Sequence, residues 1–75
     1  MMDYTITELN ISCKQLSILP LDISRYTELE TLYCNRNKLT ALDNLPPTLK
    51  ILDCSFNNIT ELDNLPPSTG GAMWC

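Results

Sequence analysis

Four cysteines are the residues best equipped for chemistry here, and Cys13, Cys34, Cys54 and Cys75 recur at intervals of 21, 20 and 21. Thiolates ligate zinc or close disulfides, but zinc sites usually bring their ligands in close pairs such as C-x-x-C, and no such pair occurs. An interval of about twenty is a structural period instead, which makes Cys34 and Cys54 small apolar residues of a core. As in-register neighbours facing inward, those two have a poor geometry for bridging. Cys13 is expected to be exposed and Cys75 is terminal, and both are open to oxidation.

The other chemical candidates are weaker. The chain has no histidine, so the commonest general base is missing. Asp43, Glu61 and Asp63 read as turn formers and solvated surface. The only glycines are Gly70 and Gly71, so no glycine-rich phosphate loop exists. Asn10-Ile-Ser12 and Asn58-Ile-Thr60 fit the glycosylation acceptor pattern, but that triplet is frequent by chance. The sequence therefore leads us to expect no catalytic, cofactor-binding or metal-binding residues, and no enzyme.

What remains is the framework that would position a binding surface. Seventy-five residues make one domain at most. The net charge of −4 and the scattered Lys14, Arg25, Arg36, Lys38 and Lys50 speak against nucleic acid or an anionic membrane, because phosphate binding needs clustered bases. No stretch approaches the ~20 apolar residues of a membrane span. The amino terminus lacks a basic and an apolar signal region. The expected compartment is the cytoplasm, or the host cytoplasm if the source is a pathogen, and the cysteines are read as thiols.

Self-similarity decides the architecture. Leu29-Glu-Thr-Leu32-Tyr-Cys34-Asn-Arg-Asn37-Lys-Leu39-Thr-Ala-Leu42-Asp-Asn-Leu45-Pro-Pro47 returns at a shift of 20 as Leu49-Lys-Ile-Leu52-Asp-Cys54-Ser-Phe-Asn57-Asn-Ile59-Thr-Glu-Leu62-Asp-Asn-Leu65-Pro-Pro67. A diverged copy, Ile6-Thr-Glu-Leu9-Asn-Ile11-Ser-Cys-Lys14-Gln-Leu16-Ser-Ile-Leu19-Pro20, precedes it at an offset of 23. Period-two alternation sends Leu9 and Ile11, Leu32 and Cys34, and Leu52 and Cys54 to one face. Leu16, Leu39 and Ile59, then Leu19, Leu42 and Leu62, continue that apolar spine. Asn37 and Asn57 stand where the chain turns inward and can bond backbone groups left unpaired there. Lys14 replaces them in the first copy, so that turn is expected to be exposed. The spacer at 21–26 has room for one helical turn, whereas the Asp-Asn-Leu-Pro-Pro spacers are held extended by proline.

The pattern L-x-x-L-x-L-x-x-N-x-L resembles the leucine-rich-repeat family over roughly residues 6 to 67, and the N-x-L-T-x-L-x-x-L-P form looks most like the 20-residue repeats of bacterial secreted effectors. The strand cysteine with Leu-Asp-Asn-Leu-Pro is also similar to repeat proteins of giant amoebal viruses. The resemblance implies a leucine-rich-repeat solenoid, a short parallel β-sheet arc of about three rungs with a mostly non-helical, polyproline-and-turn convex side. It covers residues 1–67, with repeats at about 6–28, 29–48 and 49–67, and leaves 68–75 as an off-pattern tail. Effector repeats of this kind often select substrates for an attached ubiquitin-ligase domain, which this chain does not contain.

In such an arc the outward strand residues make the recognition surface. These are Glu8, Asn10, Ser12 and Cys13, then Thr31, Tyr33, Asn35 and Arg36, then Ile51, Asp53, Ser55 and Phe56. The partner-binding candidates are Tyr33, Asn35, Arg36, Ile51, Asp53 and Phe56, of which Tyr33, Arg36 and Phe56 are types that dominate interface energetics. The alternative is that Tyr33 and Phe56 simply support each other on a half-buried sheet face. The expected function is non-enzymatic protein–protein interaction with a protein partner. The alternative is a remnant of a longer array, inactive alone or self-associating end to end. After Pro67 the repeat puts Thr69, Ala72 and Trp74 where Leu49, Leu52 and Cys54 stood. That loss of register points to truncation, a frame shift or an appended tail, leaving the third strand with an open edge; a cap built from Met73 and Trp74 is the alternative.

Overall fold

The computed structural model describes residues 3–60 and the backbone of 73–74. In Thr31–Tyr33 (β2) and Ile51–Asp53 (β3) the middle residue is buried and its neighbours are half exposed, the alternation of a strand with one wet face. Glu8–Asn10 (β1) repeats this with Leu9 half-buried between exposed neighbours. β1 pairs with β2 in parallel, Leu9 beside Leu32, and β2 pairs with β3, Leu32 beside Leu52. A two-residue strand, Met73–Trp74 (β4), adds along β3 in the same direction, completing the order β1-β2-β3-β4.

Two expectations change here. β3 does not end in an open edge, because β4 pairs along it. The register is also displaced by one residue from the repeat: Met73, not Ala72, lies beside Leu52, and Trp74 lies beside Asp53. Strand register follows backbone pairing, and residues 68–72 do not repeat the sequence that leads into β2 and β3. The rest of the tail, with Glu61, Leu62, Asp63, Leu65 and Cys75, lies outside the described residues.

The connections between these parallel neighbours contain almost no helix. Among the described residues the single helical segment is a 3-10 turn, Ile23–Arg25, inside the first spacer. In the second spacer Pro46 is buried and the chain stays irregular, because proline removes a donor and fixes φ. Tyr26 takes the place of Pro46 in the first copy, twenty residues earlier. Both are buried, and each carbonyl accepts an equivalent turn bond, Leu29 N to Tyr26 O and Leu49 N to Pro46 O, at 3.2 Å.

The core is the stack of repeated apolar positions: Leu19, Leu39 and Leu42 with Leu29, Leu32, Leu49 and Leu52, lined by Cys34 and Cys54. Its β1 end is closed only in part, since Leu9, Ile11 and Leu16 are half-buried where Leu32, Cys34 and Leu39 are sealed. A cluster in front of that end adds cover. Tyr4 meets Tyr26 edge-on with ring centres 4.9 Å apart, donates a 2.7 Å hydrogen bond to Asp22, and has the Arg25 guanidinium 5.9 Å from its ring centre. The bond to the Asp22 carboxylate pushes the Tyr4 phenol up, and burial pushes Tyr26 up.

Asparagine brackets hold the turns that follow the strands. Asn37 Oδ1 accepts from the backbone N–H of Lys14 at 2.9 Å and Leu16 at 3.0 Å, while Nδ2 donates to the carbonyls of Ile11, Cys34 and Asn35. Asn57 does the same one copy on, accepting from Leu39 N–H and donating to Cys34, Cys54 and Ser55 carbonyls. Each bracket thus serves its own copy and the one before it. Lys14 has no described copy before it to serve, which is why an exposed lysine fits at that position.

Candidate functional site

Each bracketed turn has a residue in the left-handed region at an equivalent place, Cys13, Arg36 and Phe56 with φ of 56°, 58° and 56°, and the first turn has a second, Gln15, at 57°. Cys13, Arg36 and Phe56 all stand four residues after the central strand leucine. A β-carbon there costs ~1–2 kcal/mol that glycine would avoid, so a phenylalanine at such a corner is a deviation worth reading functionally. Phe56 is 70% exposed, and the Arg36 guanidinium lies 4.5 Å from its ring centre.

Next to this pair the outward strand face forms an open depression of about 400 Å³ lined by Tyr33, Ile51, Asp53 and Ser55. Tyr33 and Asp53 are register partners on β2 and β3, as are Thr31 and Ile51. The depression is therefore an aromatic ring and an aliphatic side chain around one carboxylate. Asp53 is oriented: its Oδ1 accepts from the Ser55 N–H at 3.1 Å and the Ser55 hydroxyl at 2.7 Å. The same turn follows β1, where Asn10 accepts from Ser12. Among the described residues the ion pair formed joins Lys50 to Glu30 at 3.8 Å, and Asp53 forms none.

All six sequence candidates lie on or beside this face. Tyr33, Ile51 and Asp53 come together, and Arg36 and Phe56 form their own stack. Asn35 is half-buried, and its carbonyl is occupied by Cys13 N–H and Asn37, so its backbone serves the turn. Ser55, the residue that aims Asp53, was foreseen only as an outward position. Sequence reading passed over the far side, where Ile18 and Leu21 are 63% and 86% exposed and border a depression of about 230 Å³ with Pro20, Thr40 and Asp43. The available signal was that both fall between the repeated apolar positions.

The cysteines divide. Cys13 is exposed and Cys34 buried, both as free thiols; burial, with Asp53 nearby, pushes the Cys34 thiol up to about 12. Cys54 is disulfide-bonded, which corrects the reading of the cysteines as thiols. That reading came from the expected compartment. Among the described residues no three of Cys, Asp and Glu gather as metal ligands would, and no helix is long and apolar enough to cross a membrane. Comparison with protein-family models, curated proteins and solved structures gives no match to this chain.

Proposed function

We propose that this chain is a short leucine-rich-repeat solenoid acting as a non-enzymatic protein-interaction module, with the β1–β3 outer face as its binding surface. The observation that carries the reading is Phe56, an exposed aromatic held in a left-handed corner and stacked by Arg36. Nothing in the core requires that ring, and a glycine would make the turn at lower conformational cost. The solenoid part of the reading is supported by the 20-residue sequence shift, the in-register pairing of Leu9, Leu32 and Leu52, and the paired asparagine brackets. Three strands ~4.8 Å apart offer a face only ~15 Å wide, well below the ~800 Å² per partner of a standard interface. Binding is accordingly weak, in the micromolar range or above.

The test is selection of a random displayed-peptide library on the immobilised chain, followed by binding to a Tyr33→Ser, Phe56→Gly double variant whose fold is checked by circular dichroism. Peptides that lose affinity for the folded variant support the reading. A library whose binders are indifferent to the double substitution overturns it. A second reading, self-association, is favoured by the half-buried Leu9, Ile11 and Leu16 at the β1 end. Sedimentation across concentration separates the two, because a monomer at all concentrations removes self-association.

A further inference from the structure

We infer that the depression beside Asp53 receives a cationic side chain, an arginine or lysine, of a protein partner. This rests on the reading of the outer face as a binding surface and specifies what that surface recognises. The register places Asn10, Tyr33, Asp53 and Trp74 in one row across the four strands. The Asp53 carboxylate therefore stands beside Tyr33 on the neighbouring strand, with Ile51 two residues before it on its own. Tyr33, Ile51, Asp53 and Ser55 line about 400 Å³ of open space, ample for one long side chain.

Elimination among ligand chemistries favours a cation. A purely apolar occupant would cover the Asp53 carboxylate with no compensating partner, and burying an unpaired charge is costly. An anion meets that carboxylate and a chain of net charge −4. A divalent metal needs several oxygen ligands, and the depression supplies one carboxylate, already bonded twice by Ser55. An arginine or lysine answers every wall at once. Its methylene stem lies along Ile51, its head pairs with the carboxylate, and its charge is attracted to the Tyr33 ring. Ser55 contributes by spending its donors on Oδ1, which fixes the carboxylate plane before any ligand arrives. The protein's own cations do not fill the place: Arg36 is stacked on Phe56 and Lys50 is paired with Glu30.

The experiment uses the peptides selected on the full chain. Each is measured by calorimetry against wild type and Asp53→Asn, an isostere that keeps the Ser55 bonds and the fold. Each is also resynthesised with its basic residue changed to norleucine. The expected result is that face-dependent peptides share an arginine or lysine, and that either change weakens binding about tenfold, equal to ~1.4 kcal/mol. Made together, the two changes should cost little more than one. Peptides that need Tyr33 and Phe56 but keep full affinity for Asp53→Asn, or that carry no basic residue, overturn this inference and leave the interaction surface standing. A library with no face-dependent binders overturns both.

Discussion

Replacing Asn37 with alanine should remove a large share of the stability of this chain, because one side chain holds two turns. The amide makes five contacts with backbone groups, at 2.9–3.2 Å. Two of them are shared: the Cys34 carbonyl keeps Asn57, and the Asn35 carbonyl keeps Cys13 N–H. Truncation therefore strands three groups, the N–H of Lys14, the N–H of Leu16 and the carbonyl of Ile11. Lys14 is exposed, so water replaces part of its bond, while Leu16 and Ile11 are half-buried. At ~1–3 kcal/mol for each stranded buried group, and less for Lys14, the loss is about 3–4 kcal/mol. Total stability at ~0.05–0.15 kcal/mol per residue is about 4–11 kcal/mol. With a urea dependence of ~1 kcal/mol/M, the midpoint should fall by about 3 M, read by circular dichroism. Asn10→Ala, which removes only an exposed Asx turn onto Ser12, should cost under ~1 kcal/mol. Asn37→Asp keeps the acceptor but turns a carboxylate oxygen toward three carbonyls. It should be at least as harmful as alanine at neutral pH and recover partly in acid, where the protonated carboxyl donates again. An Asn37→Ala loss no larger than that of Asn10→Ala would refute the bracket as the element that joins successive copies.

The remaining expectations follow from the cysteines and the corner residues. In a maleimide reaction mapped by mass spectrometry, Cys13 should label in the native chain, buried Cys34 only after denaturation, and buried, disulfide-bonded Cys54 only after denaturation with reduction; native labelling of Cys34 would contradict its burial. The Cys34 thiol sits at about 12 against an ordinary 9.0, so the folded state holds that proton more tightly. Its contribution is complete below pH 9 and is lost as pH rises toward 12, by up to ~1.4 kcal/mol per pH unit. Urea midpoints between pH 8 and 11 should fall accordingly, and Cys34→Ala should flatten the slope. Phe56→Gly relieves ~1 kcal/mol of left-handed strain but loses ~0.5–1 kcal/mol of stacking with Arg36 and adds ~0.5–1 kcal/mol of unfolded-state entropy. Its urea midpoint should therefore stay within about 1 M of wild type; a larger fall would mean that the ring is structural.

The strands, the spine and the brackets were legible because they repeat. Leu32 and Leu52, Asn37 and Asn57, and Cys34 and Cys54 are each twenty residues apart, and a shared environment at each step leaves a shared residue type. The outward positions followed from the same alternation, since a half-buried strand sends every second side chain to water. The helical turn was readable because the first spacer alone lacks the Pro-Pro pair. Tertiary structure decided what is made once. β4 pairs one residue out of the repeat phase, a choice taken by backbone bonding and packing that no pattern in residues 68–75 announces. The oxidation of Cys54 is likewise invisible in the repeat, and the register that sets Asp53 between positions 33 and 74 depends on which strands lie side by side. The stacking of Arg36 on Phe56 needs two left-handed corners at one height. A period specifies which residues share an environment. Pairing in three dimensions determines which unlike residues meet, and recognition chemistry is built from those meetings.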